Sequence, residues 1–293
     1  MFNKDEKIIL KGIGGFYYVR TADGIVETRA KGIFRKMGIT PLAGDRVEIE
    51  ESNGDYVVSH IYERSNYFVR PPAANVDKLF LVVSSVDPDP NLLVIDKLLA
   101  VAEKKSAKPV IVITKTDIKH CNELIADYRK SGFDVIDLHG EPNSLDKIKD
   151  EINGSLSVFS GNSGVGKSTL LTSLGIEGLE TQQTSKKLGR GKHTTRSVEI
   201  YEIFGGYVAD TPGFSSLDLE RSEPIMKDEL ASLFTDFAPY IDCCEFRDCS
   251  HTVERGCAVI EAVKSGRIAA SRHEDYVALY EAAKELNEWE IRK

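Results

Sequence analysis

The chain has 293 residues, 41% hydrophobic and 29% charged, a composition that fits a folded globular protein of about two or three domains and excludes a disordered chain. Its 38 basic and 46 acidic side chains leave a net charge of −8, which argues against a general nucleic-acid coat. No apolar run approaches the roughly 18 residues of a membrane helix, and Met1-Phe2-Asn3-Lys4-Asp5 lacks the apolar core of a secretory signal, so a cytoplasmic protein with no membrane partner is expected.

Residues 1–68 read as short strands broken by turn signals. Strands are expected at Phe16–Thr21, Ile25–Lys31, Arg46–Glu50 and Tyr56–Tyr62, with turns at Ala22-Asp23-Gly24 and Asn53-Gly54-Asp55. About five such strands in so short a span predict a small closed barrel, an OB-fold. Lys31, Arg35 and Lys36 form a basic stretch within it, and Arg70-Pro71-Pro72 then punctuates the chain as a linker.

From Asp77 the pattern changes. Apolar runs at Leu79–Val83, Val110–Ile113, Val135–Leu138, Leu156–Phe159 and Tyr207–Ala209 alternate with helical stretches such as Leu92–Lys104 and Asn122–Ser131. Buried parallel strands alternating with helices predict a doubly wound α/β unit over residues 69–219. Residues 220–293 read as helical around a group of cysteines. The last helix is expected to start at a capping box, Ser271 with Glu274, and to bury Tyr276, Leu279, Tyr280, Ala283 and Leu286.

Gly161-Asn162-Ser163-Gly164-Val165-Gly166-Lys167-Ser168 is a complete Walker A loop, placed between a strand and a helix that continues with Thr169. Its glycines let backbone N–H groups curl around phosphates, Lys167 is suited to neutralise the β- and γ-phosphates, and Ser168 to ligate magnesium. Thr114-Lys115-Thr116-Asp117 follows another buried strand, and a carboxylate at Asp117 can accept from N1–H and the 2-amino group of guanine together. Adenine would leave that carboxylate unpaired. Asp210-Thr211-Pro212-Gly213 ends the run Tyr207–Ala209, with Asp210 in reach of a nucleotide-bound Mg²⁺ and Gly213 of the γ-phosphate. His193-Thr194-Thr195 sits in a second basic stretch, Lys186 to Arg196, and Thr195 is the threonine expected to complete the magnesium shell. Phe214 occupies the place after the aspartate motif where many GTPases carry a water-orienting glutamine, which predicts slow intrinsic hydrolysis. His193 is the internal candidate for positioning water; the competing reading is an exposed or anion-binding histidine.

Cys244, Cys249, His251 and Cys257 supply three thiolates and one imidazole, the donor set of a closed structural zinc site. Cys243 adjoins Cys244, and composition alone does not choose between them.

The order of the motifs is the informative feature. Ordinary GTPases place the base-reading motif after the phosphate loop, whereas here Thr114 precedes Gly161. The chain therefore resembles a circularly permuted GTPase, and with the barrel in front and the cysteines behind it resembles the ribosome small subunit-dependent GTPase A family. Pro41-Leu42-Ala43-Gly44-Asp45-Arg46-Val47, Arg70-Pro71-Pro72-Ala73-Ala74-Asn75-Val76-Asp77 and Asp210-Thr211-Pro212-Gly213-Phe214 carry the likeness, which covers essentially the whole chain. The resemblance implies a multidomain architecture: an OB-fold barrel, a permuted α/β P-loop GTPase core and a mainly α-helical zinc domain. It also favours Cys244 over Cys243 as ligand. It implies a monomer that binds the 30S ribosomal subunit and 16S rRNA, hydrolyses GTP to GDP under ribosomal stimulation late in subunit maturation, and then dissociates. Two departures stand out: Thr114 replaces the common asparagine, and Leu138-His139-Gly140 lies where a Ser-Ala base contact is usual, leaving the second guanine contact unassigned. The alternatives are a metabolic or transport NTPase and an RNA-binding module with a vestigial nucleotide site.

Overall fold

The computed structural model describes residues 6–52, 54–69, 72–176, 198–210 and 222–286. Strands β1 (Ile8–Ile13), β2 (Phe16–Thr21), β3 (Gly24–Ala30), β4 (Val47–Ser52) and β5 (Asp55–Ile61), with helix α1 (Gly32–Lys36) between β3 and β4, form the N-terminal β unit. They pair in the order β1-β2-β3-β5-β4, with β3 and β5 parallel and the other pairs antiparallel. An Ile8↔Arg46 bridge, with Ile9 N–H donating to Asp45 O at 3.0 Å and Val47 N–H to Lys7 O at 2.9 Å, brings the start of β4 back to β1 and closes the barrel. That circuit, with a helix after β3, is the OB topology. Ile9, Val19, Val47 and Val58 fill the interior, and Phe34 of α1 packs with them.

Strand β1 is not among the strands expected from the sequence, and its burial explains why. Ile9 points into the barrel, while Ile8 and Leu10 join the larger core on the other side. A strand covered on both faces has no alternation of apolar and polar residues to betray it.

The α/β unit comprises β6 (Tyr67–Phe68), β7 (Ala73–Ala74), β8 (Lys78–Ser84), α2 (Leu92–Lys104), β9 (Lys108–Thr114), α3 (Asn122–Lys130), β10 (Asp134–Asp137), α4 (Ser144–Ile152), β11 (Leu156–Ser160), α5 (Lys167–Ser173), β12 (Glu199–Ile203) and β13 (Gly206–Asp210). Its sheet runs β10-β9-β8-β11-β13-β12. The pairs from β10 through β13 are parallel, and β12 is antiparallel to β13. Alternate residues of β8 serve two cores: Leu79, Leu81 and Val83 face one, and Phe80 and Val82 face the other, where Phe80 stacks on Phe159 with centroids 4.5 Å apart. Such two-sided burial is why these strands read as unbroken apolar runs. The sheet does not stop at β12, because β1 pairs with it antiparallel at Lys11↔Glu199 and makes one eleven-stranded sheet with the barrel.

Beyond residue 222 lie α6 (Lys227–Leu233), α7 (Ala258–Lys264) and α8 (Ala270–Lys284), with short 3-10 turns at Thr235–Phe237 and Ile241–Cys243. The expected capping box is not there. Helix α8 begins at Ala270 with Ala269 as its N-cap and no side-chain cap, so Ser271 already lies in the first turn. Ile268 and Ala269 are buried and anchor the preceding turn, which starts the helix before the serine is reached. Of the expected apolar face, Tyr276, Leu279 and Ala283 are buried, Tyr280 is half-buried, and Leu286 is exposed.

Arg272 of α8 ties this region to the α/β unit. It is 2% exposed, with Nη1 2.8 Å from Asp96 Oδ1 on α2 and Nη2 2.7 Å from Asp236 Oδ1. The Tyr128 hydroxyl donates to Asp96 at 2.7 Å, and Phe234 lies against the guanidinium. Burial pushes the Asp96 carboxyl up to about 7, with Arg272 and the Tyr128 hydroxyl holding it from rising further. No helix among the described residues is long and apolar enough to cross a membrane.

Candidate nucleotide site and metal centre

The phosphate loop joins β11 to α5. A Cβ on Gly161 would lie 2.7 Å from Val82 O and 3.0 Å from Val165 Cγ2, so only glycine lets the loop cross so close to β8. Gly164 and Gly166 take φ of +86° and +90°, which turns the chain into α5. Val165 is buried beneath the turn, and Leu170 and Leu171 bury the inner face of the helix. Asn162, Ser163, Gly164, Ser168 and Thr169 remain exposed, and Lys167 is half-buried. The loop is thus pinned from below and open above, as a cradle for phosphate oxygens must be.

The base-reading loop splits into anchors and outward-facing groups. Thr114 is 2% exposed, and its hydroxyl donates to Val165 O at 2.6 Å, fastening this loop to the phosphate loop. The departure from asparagine is therefore structurally coherent: a hydroxyl makes the cross-loop bond. Thr116 is equally buried and its hydroxyl bonds the Asp137 carboxylate. Lys115 adopts φ +59°, with its ammonium on Asp87 O and its carbonyl accepting from the Ser85 hydroxyl at 2.8 Å. Asp117 projects outward with 58% of its side chain exposed. The structure therefore brings Thr114–Asp117 and Gly161–Thr169 together at one end of the parallel strands, where open α/β sheets bind ligands. Strand β13 runs parallel to β11 and ends at Asp210. The side chain of Asp210, together with His193, Thr194, Thr195, Thr211, Pro212, Gly213, Phe214, the basic stretch from Lys186 to Arg196, and Arg70-Pro71 of the linker, lies outside the described residues.

The second cluster is closed. The donor atoms of Cys244, Cys249, His251 and Cys257 all lie within 4.8 Å of one another. His251 Nδ1 is 3.5 Å from the Sγ of both Cys244 and Cys257, and those two sulfurs are 3.9 Å apart. Zinc bonded tetrahedrally at ordinary lengths would set S···N and S···S edges of about 3.5 and 3.8 Å. The donor set therefore fits Zn²⁺ in chemistry, and the edges among Cys244, His251 and Cys257 fit it in spacing. Cys243 is exposed and turns its thiol toward Pro239 O, which leaves it outside the set. Burial, aided by the neighbouring thiols, pushes the Cys249 thiol up to about 12, so without a cation that thiol holds a proton that a metal would displace.

Four polar side chains that no sequence motif marks hold these sites. Ser85 and Asp137 brace the base loop. Glu254 ties the cysteine loop: burial works against its ionisation, yet the Ser250 hydroxyl and the N–H groups of Ser250, Thr252 and Val253 hold its carboxyl down at about 2. Arg272 holds α8 to the core. Of these, only Glu254 had a signal in the sequence, its place among small polar residues inside the cysteine loop.

A parallel sheet with a phosphate loop, preceded in the chain by the base-reading loop bonded to it, defines a circularly permuted P-loop GTPase. The RsgA GTPase domain matches residues 61–220, and the RsgA N-terminal domain matches residues 7–57. A small ribosomal subunit biogenesis GTPase RsgA of Ruminiclostridium cellulolyticum is 41% identical, covering 98% of this chain and 96% of its own length. The protein of the same name from a Geobacillus species is 43% identical over 96% of this chain and 98% of its own. Among solved structures, YloQ, a circularly permuted GTPase, superposes with a TM-score of 0.78 at 35% identity over 97% of this chain and 96% of its own. YjeQ from Thermotoga maritima gives 0.79 at 31% identity over 97% and 99%. The chain belongs to the RsgA family and is a GTP hydrolase.

Proposed function

We propose that this GTPase acts in maturation of the small ribosomal subunit, binding a late 30S particle in its GTP form and leaving it after hydrolysis. The observation that carries the reading is the length of the likeness. About two-fifths of all residues are shared with small ribosomal subunit biogenesis GTPases across nearly the whole chain, including the barrel and the cysteine cluster, neither of which GTP hydrolysis requires. In this reading residues 1–68 are the barrel, 69–219 the GTPase unit and 220–293 the zinc unit, and the protein is a cytoplasmic monomer. The barrel offers basic and aromatic groups suited to 16S rRNA: Arg29 over Phe16, Lys11 over Tyr18, and Arg35 and Lys36 on α1.

Asp117 reads guanine, the Gly161–Gly166 backbone and Lys167 hold the phosphates, and Ser168, with Thr195 and Asp210, would hold Mg²⁺. That ion, when bound, spreads the negative charge developing between the β- and γ-phosphates. Gly213 reports the γ-phosphate, and His193 is the internal group offered to orient water. Phe214 cannot do so, hence slow hydrolysis until the ribosome completes the site. Cys244, Cys249, His251 and Cys257 hold one structural zinc. Release of phosphate at Gly213 frees the segment leading into the zinc unit, and the grip on the subunit changes with it.

The test is GTP hydrolysis with and without purified small subunits, with ATP and Lys167→Ala as controls. Stimulation confined to GTP and lowered about 100-fold or more by the substitution is expected. Hydrolysis indifferent to small subunits would overturn the ribosomal reading.

A further inference from the structure

The chain lacks the usual Ser-Ala turn beside the base-reading loop, yet the turn that stands there is built rather than slack. Asp137, at the end of β10, collects three donors on Oδ1: the Thr116 hydroxyl, the His139 N–H at 3.3 Å and the Gly140 N–H at 2.8 Å. The turn is thereby stapled to the base-reading loop through a single carboxylate oxygen. Gly140 is required by the same contact, since a Cβ there would collide with Asp137 Oδ2. Ser144 adds a hydroxyl bond to Leu138 O at 2.7 Å and holds the turn from the side of α4. These bonds put the exposed His139 ring beside Asp117, with Nδ1 3.6 Å from Asp117 Oδ1. That separation is just beyond a hydrogen bond, and catalytic and binding contacts commonly tighten to bonding distance only when the ligand enters.

We infer that His139 is the second guanine-specificity residue of this protein, a positioning residue whose Nδ1–H turns the Asp117 carboxylate toward the N1–H and 2-amino edge of the base. The inference rests on the guanine-nucleotide reading above and deepens it. A lone exposed carboxylate on a loop samples several rotamers, and only one directs both oxygens at the two donors of guanine. A donor fixed on a stapled turn selects that rotamer before the base arrives, so less freedom is lost on binding. The selection matters most for a base offering two donors. Guanine has both, whereas hypoxanthine has N1–H alone, so a misaimed carboxylate loses more with guanine.

The test is equilibrium binding of fluorescent GDP, IDP and ADP to the full chain and to His139→Ala, His139→Asn and His139→Gln. The ring is solvent-facing, so folding is not at stake, and far-UV circular dichroism verifies it. His139→Ala is expected to weaken GDP about tenfold and IDP less, so that the GDP/IDP preference falls. His139→Asn places an amide nitrogen near the position of Nδ1 and should restore most of both; His139→Gln, which mimics the far nitrogen, should not. GDP binding by His139→Ala within twofold of the parent, or an asparagine variant no better than alanine, overturns the inference while leaving the guanine reading intact. A parent protein that binds ADP as well as GDP overturns both.

Discussion

The two candidate sites are built on opposite principles. The nucleotide corner is made of backbone and short side chains: glycines that let the loop approach β8, and threonines whose hydroxyls fasten one loop to the next. Its working groups face solvent, and the corner stays open until a ligand supplies the missing charge. The cysteine centre is made of four side chains converging on one point, half-buried to buried, with nothing left open. A site of the first kind holds its shape without ligand and binds reversibly, as a switch must. A site of the second kind has little shape without its ion, so its metal is part of the fold.

Substitution should therefore act very differently in the two places. The largest effect is expected from Cys257→Ser, which removes one of four ligands: zinc content should fall from about one per chain toward zero, and the C-terminal helices should lose their cooperative unfolding transition. Cys243→Ser should leave both unchanged, and a loss of zinc there would put the wrong cysteine in the set. Next comes the junction between the two regions. Arg272→Met leaves Asp96 and Asp236 buried without their cation and should cost about 3–5 kcal/mol in denaturant unfolding.

The same cluster gives a pH dependence. The Asp96 carboxyl is raised by burial from 3.8 to about 7, so the folded state keeps a proton that the unfolded chain loses first. Its contribution to stability is fully present below about pH 4 and is lost as pH rises through about 7, and Asp96→Asn should flatten that part of the stability profile. Thr114→Val removes the hydroxyl between the loops and leaves Val165 O short of a donor, at a cost of about 1–3 kcal/mol and with weaker GDP binding. The smallest effect belongs to the surface. Lys11→Met breaks a half-buried ion pair with Glu199 and should change stability by about 1 kcal/mol or less.

What the sequence made legible follows from how locally each feature is encoded. The Walker loop, the Thr114–Asp117 loop and the Cys/His set are runs of neighbours, and the order of the two nucleotide motifs along the chain carries the permutation. The strands β8, β9 and β11 and helix α2 announced themselves by apolar runs or a helical period. Strands β1 and β12 did not, since β1 is covered on both faces and β12 carries Glu199 and Glu202, whose partners Lys11 and Arg20 lie nearly two hundred residues away. Ser271 and Glu274 have the spacing of a capping box, and tertiary anchoring of the preceding turn overrode it. Asp137 and Arg272 were invisible for the same reason: each works on groups from another element, and a lone acid or base in a sequence carries no address.

The continuity of the sheet has a consequence for solubility. An open parallel sheet ends in two strands with unpaired main-chain groups, a template on which other chains can add. Here β1 takes the ladder of β12, and the barrel then curls until β4 meets β1, so that this border turns back on itself. Among the described residues, the edge of this sheet that remains is β10 at the far side, four residues long with an aspartate at each end. The barrel thus acts as a selvedge for the GTPase sheet, and removing it would uncover a raw strand carrying the apolar Ile200 and Ile203, which predicts self-association of a truncated core.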